Sequence, residues 1–269
     1  MANTLTIGLV LPDVLGTYGD DGNALVLRQR ARLRGWDAEI RPIRLGEPVP
    51  ESFDIYTLGG GEDSAQILAA EHLISDGGLS RAAQAGRPIF AVCAGLQVLG
   101  ESFRASGRVI DGVGLIDATT SPLTERAIGE VTSAPVTDGS AITAELSAPL
   151  TGFENHLGAT ILGPAARPLG AVRTGTGNAD QAATADLRDG AEQRTYEGAV
   201  QGSVIATTCM ARPWPATRSL PMPSSPTPPT RSSATSSRSI FPRSTSCARS
   251  GWARQQVTCS ERSPGCAPP

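Results

Sequence analysis

The sequence contains no lysine and only two histidines, His72 and His156, so all 23 of its basic residues are arginines. A phosphate-binding loop of the Gly-x-x-x-x-Gly-Lys-[Ser/Thr] type needs a lysine, which excludes ATP chemistry of that kind in this chain. No apolar run reaches the roughly 18 residues of a membrane span, and the first residues carry none of the basic charge typical of a signal peptide. We therefore expect a cytoplasmic protein without a membrane span.

Cysteine is also scarce, and its distribution is uneven. Cys93 is the only cysteine before residue 200, and the other four occur in the last part of the chain. Their spacing fits neither a zinc site nor a disulfide framework. We expect no metal and no disulfide scaffold, and the remaining cysteines are Cys209, Cys247, Cys259 and Cys266.

Residues 208–269 differ in composition from everything before them. They hold 11 of the 21 prolines, eight arginines and a single acidic residue, Glu261, and they show no helical or strand period. Such a segment buries too little apolar surface to order itself, so we expect it to be disordered. A nucleic-acid-binding arm is the alternative for a basic tail, but the scarcity of aromatic residues argues against base stacking.

Residues 1–207 show strands that alternate with helices. The apolar run 5–11 predicts a first strand, 24–34 a helix, and 53–58 a strand that leads into three glycines. This alternation predicts one α/β domain, with a parallel sheet covered on both faces. Segment 107–172 contains shorter strands separated by turns, which predicts a mixed or antiparallel extension of the sheet.

The stretch 88–100 is the centre of this pattern. An apolar run ends at Cys93, small residues flank the cysteine, and a helical pattern follows. This order predicts a buried strand, a tight turn and a helix, with the thiol at the turn. The partial positive charge of the helix N-terminus would favour the thiolate form of a nucleophile. A cysteine buried at the end of a core strand is the alternative.

Several stretches together resemble a known family. Cys-Ala-Gly-Leu-Gln at 93–97 is similar to the nucleophile turn of class I (triad) glutamine amidotransferases, and Leu-Gly-Gly-Gly at 58–61 is similar to their oxyanion loop. The stretches 18–23, 59–63 and 152–156 resemble the cobyric-acid-synthase-like branch. Within it they are most similar to glutamine amidotransferase subunits of lipid II isoglutaminyl synthases. The resemblance covers about residues 4–207 and implies a flavodoxin-like, three-layer fold.

The resemblance implies a covalent mechanism at Cys93. Its thiolate would attack the side-chain amide of glutamine and form a glutamyl thioester. Backbone N–H groups of Ala94 and of the Gly60 and Gly61 loop would stabilise the oxyanion, and glycine allows the loop to approach the ligand closely. His156 is the only candidate base near the motifs, and it is a weak one.

The resemblance also implies two substrate-binding residues. Arg126 would pair with the α-carboxylate of glutamine, although a surface arginine beside Glu125 is an equal alternative. Gln97 lies four residues after the nucleophile and would help to seat the substrate, or it is an ordinary helix residue. Asp20 and Asp21 are read as turn and helix-cap residues rather than as catalytic ones.

By the same resemblance, the ammonia goes to a partner. That partner would be a Mur-ligase-like, ATP-dependent subunit that amidates the D-glutamate of the lipid II stem. ATP is therefore expected on the partner, and no cofactor is expected in this chain. Two alternatives stay open: a cobyric-acid-type amidotransferase, and a non-catalytic chain that binds the partner or glutamine without turnover.

The resemblance fails at the catalytic histidine, which in the family follows the final strand in a Tyr-Leu-His-Gly-Pro pattern. Here the final strand is followed by Thr-Cys-Met-Ala-Arg-Pro-Trp from residue 208. Read from the third base of the Thr208 codon, the permitted codons allow Leu-His-Gly-Pro, with the histidine codon straddling Cys209 and Met210. We therefore predict that residues 208–269 are the translation of a shifted reading frame, and that the chain hydrolyses glutamine poorly or not at all.

Overall fold

The computed structural model describes residues 4–16, 19–137 and 142–210. These residues form an α/β fold with two sheets. The helices are Asp21–Leu33 (α1), Asp63–Asp76 (α2), Gly78–Gln84 (α3), Ala94–Leu99 (α4) and Gly190–Gln193 (α5). The strands are Leu5–Val10 (β1), Ala38–Ile43 (β2), Ile55–Leu58 (β3), Ile89–Val92 (β4), Ser102–Ala105 (β5), Arg108–Asp111 (β6), Ala118–Pro135 (β7), Leu150–Leu162 (β8), Gly170–Thr174 (β9), Tyr196–Glu197 (β10), Ala199–Gln201 (β11), Val204–Thr207 (β12) and Cys209–Met210 (β13).

The first sheet has the order β11-β12-β4-β3-β1-β2, and all neighbours are parallel except β11 and β12. Successive side chains of a strand point to opposite faces of the sheet, and the side chains of β1 pack on both faces. Leu5, Ile7 and Leu9 pack against α1, whereas Val10 belongs to the larger core beneath α2 and α4. The prediction of a parallel sheet covered on both faces is confirmed. The edge strand β2 accommodates Pro42, as an edge strand can.

The second sheet is the mixed extension that the sequence predicts. Its centre is the antiparallel pair of β7 and β8, and β5 joins β7 in parallel. Both central strands are much longer than the short strands expected from the sequence. Pro122 and Gly129 interrupt the apolar pattern of β7, but the strand runs through both of them.

The boundaries differ from the expected ones at two places. Helix α1 begins at Asp21 rather than after Asn23, so Asn23 lies in the first turn and is not a cap. Regular structure also continues past residue 207, because strand β13 pairs antiparallel with β8 at Glu154 and Phe153. The rest of the predicted disordered segment, from residue 211 on, lies outside the described residues. In the part of the chain that the structure describes, no helix is both long enough and apolar enough to span a membrane.

Candidate functional site

Cys93 occupies the turn between strand β4 and helix α4, as the sequence predicts. Its backbone adopts φ 55° and ψ −116°, a strained conformation for a residue with a Cβ. Strain of this kind at a strand-to-helix turn is typical of a nucleophile held in one orientation. The Cys93 N–H donates to the carbonyl of Thr207 on the neighbouring strand at 2.8 Å. This hydrogen bond ties the turn to strand β12.

The glycine loop, residues 59–61, follows β3 and faces this turn. Strands β3 and β4 are parallel neighbours, so their carboxyl ends, and the loops that leave them, meet at one edge of the sheet. A Cβ built on Gly60 would lie 3.2 Å from Cβ and 3.4 Å from Sγ of Cys93. Any side chain larger than hydrogen at position 60 would therefore press on the nucleophile.

One of the expected oxyanion donors has another partner. The N–H of Gly60 donates to Oδ2 of Asp20 at 2.7 Å, so this donor is engaged by a carboxylate. Ala94 and Gly61 remain the candidate donors. The Ala94 N–H lies close enough to the Cys93 sulfur to lower the pKa of the thiol.

Asp20 is the residue that sequence reasoning missed. It precedes α1 at the cap position, but its side chain makes no cap hydrogen bond and instead holds the glycine loop. The side chain is 7% exposed, and this burial raises the pKa of its carboxyl group. No local pattern could reveal this role, because the partner lies forty residues further along the chain.

The electrostatics of Cys93 do not favour the thiolate. Burial is the main cause that raises the pKa of the thiol, the Ala94 N–H and Arg126 lower it, the Asp20 carboxylate raises it, and the net pKa is about 11. The expected gain from the helix N-terminus is therefore outweighed by desolvation. Helix α4 is also only six residues long. A nucleophile in this state needs a base to take its proton.

A cavity of about 240 Å³ opens beside the nucleophile, and it brings the predicted substrate residues together. Cys93, Gln97, Arg126 and His156 all line it. Arg126 donates to Oδ1 of Asn155 at 3.1 Å, so its guanidinium is held at the rim. A thiol and a cation thus line the same cavity, a combination that suits a ligand with an electrophilic carbon and a carboxylate.

His156 is buried, 4% exposed, on strand β8 next to the nucleophile. Its Nδ1 lies 2.9 Å from the carbonyl of Gly158, and since a carbonyl only accepts, Nδ1 carries the proton. Its Nε2 lies 3.8 Å from Oε2 of Glu154 and has no hydrogen-bond partner among the described residues. Neither nitrogen hydrogen-bonds to Cys93, although the two residues line the same narrow crevice.

The carboxylate beside His156 is firmly held. Burial would raise the pKa of Glu154, but the nearby His156 ring, 3.8 Å away, and the hydrogen bonds from the backbone N–H groups of Thr176 and Gly177 outweigh burial and lower the pKa. The other histidine, His72, lies on α2 and donates to the Glu47 carbonyl at 3.0 Å, away from the cavity. In this structure neither histidine hydrogen-bonds to Cys93.

No metal site accompanies this cavity. Within residues 4–16, 19–137 and 142–210, no group of three or more histidine, cysteine, aspartate or glutamate side chains could hold a metal ion.

Comparison with known proteins places the chain in a family. Residues 6–210 match the CobB/CobQ-like glutamine amidotransferase domain. The chain is 32% identical over 197 residues to the lipid II isoglutaminyl synthase (glutamine-hydrolyzing) subunit GatD of Staphylococcus aureus (strain N315), covering 72% of this chain and 75% of that protein. It is 30% identical over 181 residues to the subunit of the same name from Streptococcus pneumoniae (strain ATCC BAA-255 / R6), covering 66% of each.

More distant relatives agree with this assignment. The cobyric acid synthase of Methylobacterium nodulans is 31% identical over 150 residues, which is 53% of this chain but only 29% of that protein. Among solved structures, a chain of PurLQS from Thermotoga maritima shares the fold with a TM-score of 0.51 at 12% identity, over 78% of this chain and 88% of that one. The resemblance that the sequence motifs indicate is confirmed. The chain belongs to the family of CobB/CobQ-like glutamine amidotransferases.

Proposed function

We propose that this chain is the glutamine-hydrolysing subunit of a lipid II isoglutaminyl synthase. One observation carries the proposal: the strained Cys93 faces the glycine loop and lines the same cavity as Arg126. The two proteins named GatD share about 30% identity with the chain and support the assignment to a glutamine-hydrolysing subunit.

The chemistry follows from this arrangement. Once deprotonated, the Cys93 sulfur attacks the side-chain amide carbon of glutamine, and a C–S bond forms as the carbonyl π electrons move to oxygen. The N–H groups of Ala94 and Gly61 stabilise that oxyanion, and one such donor typically contributes roughly 3 kcal/mol. The proton taken from the thiol passes to the amide nitrogen, the C–N bond breaks as the oxyanion reforms the carbonyl, and ammonia leaves, so that a glutamyl thioester remains. Water then hydrolyses the thioester to glutamate and restores the thiol.

Arg126 selects the substrate in this proposal. Its guanidinium sits at the cavity rim, held by Asn155, where it would pair with the free α-carboxylate of glutamine. Gln97 lines the same cavity and lies so close to Gly158 that a Cβ there would be 2.5 Å from its Nε2. Gln97 therefore fills the space between α4 and β8 and shapes the floor of the substrate site.

The ammonia would be used by a second subunit. We propose a heterodimer with a Mur-ligase-like, ATP-dependent partner in the cytoplasm, where activated D-glutamate of the lipid II stem accepts the ammonia. Ammonium chloride offers a direct test, because it bypasses this chain. The partner with ATP should amidate the stem with ammonium chloride alone, and with glutamine only when an active form of this chain is present. Amidation from glutamine without this chain would contradict the proposal.

A second candidate function is a chain that binds the partner or glutamine without turnover. It is favoured by the positions of the two histidines, neither of which hydrogen-bonds to Cys93. We propose that the cause is the shifted reading frame after Thr207. Thr208 lines the narrow crevice that also contains Cys93 and His156, and β13 follows at once beside β8. The shifted frame would thus return a histidine to a strand that borders the nucleophile.

Sequencing the gene across the Thr207 and Thr208 codons tests the shifted frame. A single missing base, followed by a long open frame that begins Leu-His-Gly-Pro, is the expected result. An intact frame in which the printed residues 208–269 are encoded without any such alternative would contradict it.

A further inference from the structure

Strand β7 leaves its ladder with β8 at one place. Pro122 pairs with Gly158 and Ala127 pairs with His156, so four residues of β7 stand opposite a single residue of β8. We call residues 123–126 the β7 excursion. A bulge of this kind re-aims the side chains it carries, and Arg126 is the last of them. The excursion is what brings Arg126 to the cavity rim.

The excursion is held at its start by apolar packing. Leu123 is 5% exposed and packs with Ala127, Ala159 and Ala179 in a small cluster of its own. Ala179 belongs to the loop that follows β9, so this loop forms the outer support of the excursion. Packing alone does not fix the backbone of the next residues, because Thr124, Glu125 and Arg126 are exposed.

Asp180, in the same loop, supplies a polar anchor. Its Oδ2 accepts the backbone N–H of Thr124 at 3.0 Å, and its Oδ1 accepts the N–H of Ala183 at 2.8 Å. The carboxylate therefore ties the excursion to the loop and orders the loop at the same time. Burial would raise the pKa of Asp180, but these N–H donors outweigh it and lower the pKa, which keeps the carboxylate ionised.

The loop is rigid enough to serve as an anchor. Asn178 is fully buried, and its amide group both donates to the Gly198 carbonyl and accepts the Gly198 N–H. The Asn178 carbonyl accepts the N–H of Thr160 on β8 at 2.7 Å. Gly177 has φ +70°, and a Cβ there would lie 2.5 Å from the Tyr196 carbonyl oxygen. The loop is thus fastened to two strands directly before Asp180.

We propose that Asp180 is a positioning residue for substrate recognition: by holding the Thr124 N–H, it fixes the β7 excursion and so sets Arg126 where a substrate carboxylate binds. This inference rests on the proposed function, because it takes glutamine as the ligand of the cavity. Asp180 does not itself touch the ligand. Its main effect is on which ligands the site prefers, because Arg126 makes only a minor contribution to the pKa of the Cys93 thiol.

Two alkylating probes separate these effects in the full chain. A diazoketone analogue of glutamine carries the α-carboxylate, whereas iodoacetamide does not, and labelling of Cys93 by each is followed by mass spectrometry of the peptide. Asp180→Ala should slow labelling by the diazoketone about tenfold or more, since a hydrogen bond to a charged group is lost. Labelling by iodoacetamide should change by less than about twofold. Asp180→Asn keeps one acceptor and should be intermediate.

Two further variants complete the experiment. Asp186→Ala changes an exposed carboxylate of the same loop and should behave as the unchanged chain. Arg126→Ala should lose selectivity for the diazoketone at least as strongly as Asp180→Ala does. If Asp180→Ala does not fold, as judged by circular dichroism, Asp180→Asn carries the test alone.

The outcomes distinguish the inference from the function beneath it. Loss of selectivity in Arg126→Ala but not in the Asp180 variants overturns the role of Asp180 and leaves the proposed function standing. Equal slowing of both probes in the Asp180 variants shows a merely structural role and also overturns it. Absence of any preference for the diazoketone in the unchanged chain contradicts the proposed function and the inference together.

Discussion

The two walls of the cavity differ in what they are made of. One wall, the Cys93 turn with the glycine loop, consists mainly of backbone groups at the carboxyl ends of β3 and β4. The other wall, on β7 and β8, relies on side chains such as Arg126 and His156. Catalysis needs both, because backbone N–H groups stabilise an oxyanion but only a side chain can accept the thiol proton. If the base is missing, as we propose, the Cys93 thiol is presented by the first wall but is not activated.

The largest effect expected from this difference is in the pH dependence of Cys93. Its thiol pKa is raised to about 11, so the reactive thiolate is a minor species at neutral pH and grows as pH rises towards 11. Iodoacetamide labelling should therefore increase about tenfold per pH unit, or about a thousandfold between pH 7 and pH 10. Peptide mass spectrometry of Cys93 at several pH values measures this.

The unfolded chain is the control for this titration. In urea the same cysteine should titrate near its ordinary value of about 8.5 and reach a plateau above it. A plateau already near pH 8 in the folded chain would show that some group activates the thiol, and would contradict the contrast between the two walls.

A smaller effect is expected from replacing glycines in the wall formed by the Cys93 turn and the glycine loop. These variants test how tightly the backbone of that wall is packed. Gly59→Ala places a Cβ 2.7 Å from the Leu15 carbonyl oxygen and 2.7 Å from Cβ of Asp20. The Leu15 carbonyl oxygen and the Asp20 Cβ cannot move away unless the backbone that carries them also moves. The substitution should therefore lower the free energy of unfolding by about 1–3 kcal/mol. Urea denaturation measures it.

Gly129→Ala is the matched control, because a Cβ there meets nothing within 4 Å. It should leave the free energy of unfolding unchanged or raise it by up to about 1 kcal/mol. Equal losses from the two variants would mean that the glycine loop is not tightly packed against Asp20.

The smallest effect is expected at Asp20. Asp20→Asn keeps an oxygen that accepts the Gly60 N–H but removes the negative charge that raises the pKa of Cys93. Labelling of Cys93 by iodoacetamide at pH 8 should rise by roughly two- to fivefold. Asp20→Leu is the comparison, since it removes both the charge and the acceptor, and it should slow labelling by the diazoketone. A fall in iodoacetamide labelling of Asp20→Asn would contradict this electrostatic reading.

The sequence predicts the features that depend on neighbouring residues. The strand, turn and helix around Cys93 form one continuous pattern in the sequence, and the glycine triplet directly follows a strand. The Cys93 turn and the glycine loop could therefore both be predicted from the sequence. The parallel sheet and its antiparallel extension follow from the same local alternation.

Contacts between distant segments could not be predicted in this way. Asp20 looks like a helix cap because the sequence shows the helix but not Gly60, which reaches it from another strand. The thiolate expected at the helix N-terminus fails because the sequence does not show how deeply Cys93 is buried. The support of Thr124 by Asp180 depends on a loop fifty-six residues away.

The most direct test of the account compares ammonia release from glutamine by the chain as printed with release by the chain translated in the shifted frame after Thr207. The account predicts background release from the printed chain, substantial release from the shifted chain, and a loss of roughly 10⁴-fold or more on Cys93→Ala in the shifted chain. Equal release from the printed and shifted chains, or release that survives Cys93→Ala, would contradict the claim that Cys93 is the nucleophile and that its base is missing.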